Sequence, residues 1–241
     1  MGELSDAPAA TATQQPPAIR AILFDLDGTL YPTANGYVEH VRGNLFNYME
    51  QKLHIANAKE AWRPLFAKYN QTLRGLQATG HELNVEEYWA DTRAGAEQFI
   101  KPAPQGLRDL LASLPQDLHI FTNCNEKEAE HILDLLGIRE YFKSIYGSTC
   151  MGTYCKPERE VFDKVLATLG LEGHQVALFE DSYKNCLTAK SVGMTSVLIN
   201  SDTAIEEGVT EEMMAHVDAV VLDEHLTREV LEGALPRLWA T

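Results

Sequence analysis

The chain has 241 residues with 20 basic and 35 acidic side chains, a formal net charge of −15, and that surplus opposes a nucleic-acid polymer as partner. With 45% apolar and 23% charged residues it has the composition of a globular protein rather than a disordered or fibrous one. No uninterrupted apolar run nears the roughly 18 residues that span a bilayer, and its 4 cysteines include no CxxC pair, which predicts a reduced, cytoplasmic setting without a membrane partner.

In chain order, residues 1–18 are rich in Ala, Thr, Gln and Pro and have neither a basic start nor an apolar centre, so they are expected to form a disordered tail. Ala21-Ile22-Leu23-Phe24-Asp25 follows, a short apolar run closed by polar residues, which reads as a buried parallel strand. From about Tyr31 to Pro104 the pattern is helical only, with stretches at Gly36 to Leu53, Ala58 to Leu76 and Val85 to Phe99. After the Lys101-Pro102-Ala103-Pro104 linker, helices and strands alternate. The helical stretches are Gln105 to Leu114, Glu126 to Leu136, Glu158 to Leu169 and Lys184 to Val192. The strands are Leu118 to Thr122, Val176 to Glu180 and Thr195 to Ile199, with weaker candidates at Ser144 to Gly147 and Ala219 to Leu222. This alternation predicts a doubly wound α/β fold with a parallel sheet, assembled from residues 19–30 and 105–241. An all-helical insert, residues 31–104, is expected to lie over the strand ends as a cap.

In such a fold, ligands bind at the carboxyl ends of the strands, where the polar residues of this chain fall. Asp25-Leu26-Asp27-Gly28-Thr29 sets two carboxylates two residues apart at the first strand end, followed by a glycine that permits a sharp turn. One carboxylate can attack phosphorus while the other serves as acid and base, although Asp and Gly are equally at home in an ordinary turn or helix cap. Thr122-Asn123 offers hydroxyl and amide donors to phosphate oxygens. Lys156, just before a helix, offers a cation against developing negative charge, and Glu180-Asp181 offers hard oxygen ligands suited to Mg²⁺.

With DLDGT, the Thr of FTN, the Lys of CKPE and the acidic pair of FEDS in that order, the chain resembles the haloacid dehalogenase superfamily from about Ala21 to the last strand. The resemblance implies that Asp25 is a nucleophile and Mg²⁺ ligand, and that Asp27 is the general acid/base and a metal ligand through its carbonyl. Thr122 and Lys156 would hold the phosphoryl group, while Asp181 and Glu180 would complete the metal site. An acid at position 27 implies phosphoryl transfer rather than dehalogenation.

A finer resemblance, to pyrimidine 5′-nucleotidase-like phosphatases, rests on Tyr31-Pro32 and on Tyr69, Thr72-Leu73-Arg74-Gly75-Leu76, His81 and Tyr88. It implies a nucleoside 5′-monophosphate substrate bound with help from Arg74, Tyr69 and Asn123. Two alternatives stay open: an enzyme acting on another small phosphometabolite (a sugar phosphomutase, or a phosphatase of a sugar phosphate or pyridoxal phosphate), and a non-catalytic module binding Mg²⁺ or a phosphoprotein. Cys155 beside Lys156, with Cys150 nearby, raises a redox role, against the commoner identity of a small buried hydrophobe. No obligatory protein partner is implied.

Overall fold

The computed structural model describes residues 19–222 and 226–239, so the expected tail lies outside the described residues. The first strand, β1 (Ala21–Phe24), is completely buried. Its side chains alternate between two cores: Ala21 and Leu23 join one cluster, Ile22 and Phe24 the other. A strand apolar on both faces has to be covered on both, which is why this run reads as continuous hydrophobicity.

Between β1 and the next strand the chain forms α1 (Tyr37–Gln51), α2 (Ala58–Tyr69), α3 (Thr72–Ala78) and α4 (Val85–Arg93), followed by a 3₁₀ turn at Ala96–Phe99. The long helix expected from Ala58 to Leu76 is broken where Asn70 adopts φ 55°, a left-handed conformation that ends α2 and lets α3 restart. Likewise Gly95, at φ 74°, separates α4 from the 3₁₀ turn inside the stretch expected to run to Phe99. These helices build a small core of their own around Leu45, Tyr48, Met49, Leu76, Tyr88 and Trp89.

The chain continues with α5 (Gln105–Ser113), β2 (Asp117–Phe121), α6 (Glu126–Leu136), β3 (Phe142–Tyr146), α7 (Ser148–Met151), α8 (Arg159–Leu169) and β4 (Val176–Glu180). After these come α9 (Tyr183–Ser191), β5 (Thr195–Asn200), α10 (Asp202–Glu206), α11 (Glu211–Met214), β6 (Ala219–Leu222) and α12 (Arg228–Ala234). The weak strand candidates are thus real strands. The six strands form one sheet in the order β3-β2-β1-β4-β5-β6, every neighbouring pair parallel. Connections run to one side of β1 and then cross to the other, so a topological switch lies between β1 and β4, with a crevice at their carboxyl ends. Among the described residues no helix is long and apolar enough to cross a membrane.

The approach to β4 is tightly fixed: a Cβ added at Gly173 would sit 1.9 Å from the Val192 carbonyl oxygen, a backbone atom that cannot step aside. Gly173→Ala is expected to lower unfolding stability by about 1–3 kcal/mol, the usual cost of overpacking. A urea midpoint equal to that of the unaltered protein would contradict this account of the turn.

Candidate active site

Four loops bring polar side chains to the carboxyl ends of the central strands. The loop after β1 carries Asp25 and Asp27, the loop after β2 carries Thr122 and Asn123, the segment before α8 carries Lys156, and the end of β4 carries Glu180 and Asp181. All seven line one cavity of about 330 Å³.

Lys156 organises this cluster. Its side chain is 1% exposed, and its ammonium donates to Asp25 Oδ1 at 2.7 Å, to Glu180 Oε2 at 2.6 Å and to the Phe121 carbonyl at 2.7 Å. An ammonium has three donors and all three are used, on the ends of the three adjacent strands β1, β4 and β2. Burial alone would lower the lysine's pKa, but Asp25 and Glu180 outweigh it and hold the amine above its ordinary value. Asn123 fixes the lysine's backbone from both sides, accepting from its N–H at 2.9 Å and donating to its carbonyl at 3.1 Å.

Single ligand oxygens of Asp25, Glu180 and Asp181 lie within 4.8 Å of one another, and all three residues are buried. Burial first, and then the charge of Glu180, push the Asp25 carboxyl above the usual range against the pull of Lys156. Asp181 is raised by burial, Asp25 and Glu180 in that order. One ammonium therefore faces three buried carboxylates, an excess of negative charge that a divalent cation would neutralise. Gly28 shapes the same spot, since at φ 81° a Cβ there would come within 2.1 Å of Asp181 Oδ2. The donor set, hard oxygens from few carboxylates, fits Mg²⁺.

Around this centre, the Thr122 hydroxyl accepts from the Cys124 N–H at 3.1 Å and keeps its own proton free to donate. Asp27 is only partly buried, and its Oδ1 accepts from the Tyr31 hydroxyl, while its other oxygen has no hydrogen-bond partner among the described residues. The Tyr31-Pro32 motif alone does not predict this contact, which the fold of the turn creates. The cavity wall on the helical side includes Tyr37, Trp62, Phe66, Tyr88, Trp89 and Arg93.

Two residues expected to bind substrate do not line this cavity. Arg74 is engaged by Glu158 through both terminal guanidinium nitrogens, Nη2 to Oε1 at 2.8 Å, and Tyr69 offers its carbonyl to the Cys155 thiol at 3.2 Å. Burial raises the Cys155 pKa, so its thiol is protonated and serves as a donor in packing.

This is a doubly wound α/β protein whose strand-end carboxylates and lysine form one buried cluster of charges. It belongs to the haloacid dehalogenase-like hydrolases, the family description that matches residues 19–193. Phosphate metabolism protein 8 of Saccharomyces cerevisiae is 26% identical over 199 residues, an alignment spanning 76% of this chain and 62% of that protein. A phosphoglycolate phosphatase of Neisseria gonorrhoeae is 27% identical over 232 residues, 92% of each chain. Among solved structures, CbbY from Rhodobacter sphaeroides in complex with phosphate superimposes with a TM-score of 0.65 at 20% identity, covering 91% of this chain and 99% of that one. The narrower expectation of a pyrimidine 5′-nucleotidase-like branch finds no support in these names.

Asp25 and Asp181 have folded-state pKa values above the unfolded value of about 3.9, so the folded protein holds extra protons. Their contribution is complete below that value and is lost as pH rises towards the folded pKa. Without divalent metal, the urea midpoint is expected to fall between about pH 5 and pH 8, less steeply in Asp25→Asn, and Mg²⁺ should flatten the fall. Identical slopes in both proteins would refute the buried-carboxylate account.

Proposed function

We propose that this protein is a Mg²⁺-dependent phosphatase of small phosphate monoesters that works through a phosphoryl group carried on Asp25. The observation that supports it is the pairing of Asp25 with the buried Lys156 at 2.7 Å, with a second, partly accessible carboxylate two residues along in Asp27.

Asp25 attacks phosphorus through a carboxylate oxygen, and the ester P–O bond breaks as the leaving oxygen takes a proton from Asp27. Tyr31 orients Asp27 by its hydrogen bond to Oδ1. The Thr122 hydroxyl holds an oxygen of the transferring group, the Lys156 ammonium, its three protons already committed, stands beside it as a fixed positive charge, and Asn123 keeps the lysine in place. In the second half, Asp27 accepts a proton from water, whose oxygen bonds to phosphorus as the bond to Asp25 breaks. Free phosphate leaves and both aspartates return to their starting state. Asp25, Asp181, Glu180 and the Asp27 carbonyl are the groups to hold Mg²⁺, which when bound supplies positive charge against the phosphoryl oxygens. The helices of residues 31–104 act in this reading as a cap that limits water at the reacting atoms.

Two substrate classes follow from different features. The stacked rings of Trp62 and Phe66, with centroids 5.2 Å apart in the cavity wall, suit the flat base of a nucleoside 5′-monophosphate. Relatives named phosphoglycolate phosphatase suggest a shorter, acidic monoester instead.

Asp25→Asn is expected to lower Mg²⁺-dependent phosphate release from p-nitrophenyl phosphate by at least about 10³-fold, and chelation of the metal should do the same to the unaltered enzyme. Undiminished release in the variant would remove the mechanism. A folded protein inactive across nucleotides, sugar phosphates and short acid phosphates would favour a non-catalytic binding module. Rearranged phosphosugar without free phosphate would favour a mutase.

A further inference from the structure

The cavity has a second polar feature that the chemistry above leaves unused. Trp89 and Arg93 stand one turn apart on the same face of α4, and both line the cavity that holds Asp25 and Lys156. The Arg93 guanidinium lies over the Trp89 ring, 5.2 Å from its centroid. Among the described residues Arg93 makes no ion pair, and its buried Nε has no hydrogen-bond partner. The indole N–H of Trp89, a residue 6% exposed, is likewise buried without an acceptor. Both groups are donors only, so neither can satisfy the other. Asp27 and Glu128 are near enough for their charges to be felt at Arg93, yet neither is within ion-pair distance.

Buried donors without acceptors are costly and uncommon, and a cation held in such a place calls for an oxyanion. We propose that Arg93 and the Trp89 N–H form a subsite for a second acidic group, a carboxylate or a phosphate, on the leaving part of the substrate. This deepens the phosphatase reading and rests on it for the identity of the first group, the phosphoryl at Asp25. It selects short phosphate monoesters bearing another acid over nucleoside 5′-monophosphates, whose single acidic group is taken at the strand ends and leaves Arg93 unpaired. A guanidinium fork stacked on an indole suits a planar carboxylate or a phosphate edge, and lysine would reproduce the charge without the fork.

The test is binding of three unreactive phosphonates in the presence of Mg²⁺, measured by calorimetry. Methylphosphonate has no second acid, phosphonoacetate adds a carboxylate and methylenebisphosphonate adds a second phosphonate. Chelation of Mg²⁺ by the diacids is common to all proteins compared and cancels in ratios between them. The unaltered protein is expected to prefer at least one diacid over methylphosphonate, and the better diacid tells carboxylate from phosphate. In Arg93→Met that preference should fall on the order of 10–100-fold, the worth of a charged hydrogen bond, with Arg93→Lys in between. A preference equal in all three proteins, or none in the unaltered one, would overturn the subsite. Turnover of p-nitrophenyl phosphate separates the two claims. Selective diacid binding by a protein that hydrolyses nothing would keep the subsite and remove the phosphatase, and hydrolysis without diacid preference would do the reverse.

Discussion

A single buried ammonium ties this structure together. Lys156 reaches the ends of β1, β2 and β4 at once, and each of its three protons has its own acceptor. Leaving a lysine inside a protein is tolerable only with full pairing, and here the pairing is supplied by the strand order itself, which puts those three strands side by side. The converse also holds. Asp25 and Glu180, both buried, depend on the lysine, and even with it the centre stays short of positive charge. Fold and site are therefore one problem: the sheet brings acids together, the lysine relieves part of their repulsion, and the remainder defines what kind of ion belongs there.

The helical segment stands in a different relation to the site. It builds an apolar cluster separate from those of the sheet, and its inward face adds aromatic rings and two arginines, Arg42 and Arg93, to a floor made by the sheet. In the proposed reaction the floor supplies the groups that act on a phosphoryl unit. The wall has donors still lacking acceptors, the Trp89 indole N–H and the Arg93 Nε. On the proposed function, this division would let the strand-end centre carry the chemistry while the helical wall selects the ester.

Much of the floor could be read before any coordinates. Asp25, Thr122, Glu180 and Asp181 each follow a short run of apolar residues, and a parallel sheet places all such run-ends at one edge, so sequence position translates into spatial position. The wall does not translate in this way. Which face of α3 or α4 meets the cavity depends on how the helices dock, and that is set by contacts distant in sequence. Arg74 has a motif-like setting but is drawn to Glu158 in the other part of the chain, whereas Arg93, in no motif, faces the cavity. The break at Asn70 was also hidden, because the apolar spacing runs through it and only the left-handed backbone ends the helix. The Tyr31 contact with Asp27 needed the turn geometry at Gly28 to be known first.

Glu158 links these two parts more directly than packing does. One of its carboxylate oxygens receives both Arg74 from α3 and, at 3.0 Å, the backbone N–H of Cys155, the residue just before Lys156. The carboxylate thus spans α3 and the segment that carries Lys156. Removing the Glu158 carboxylate would take from Arg74 its ion-pair partner and from the Cys155 N–H its acceptor at once.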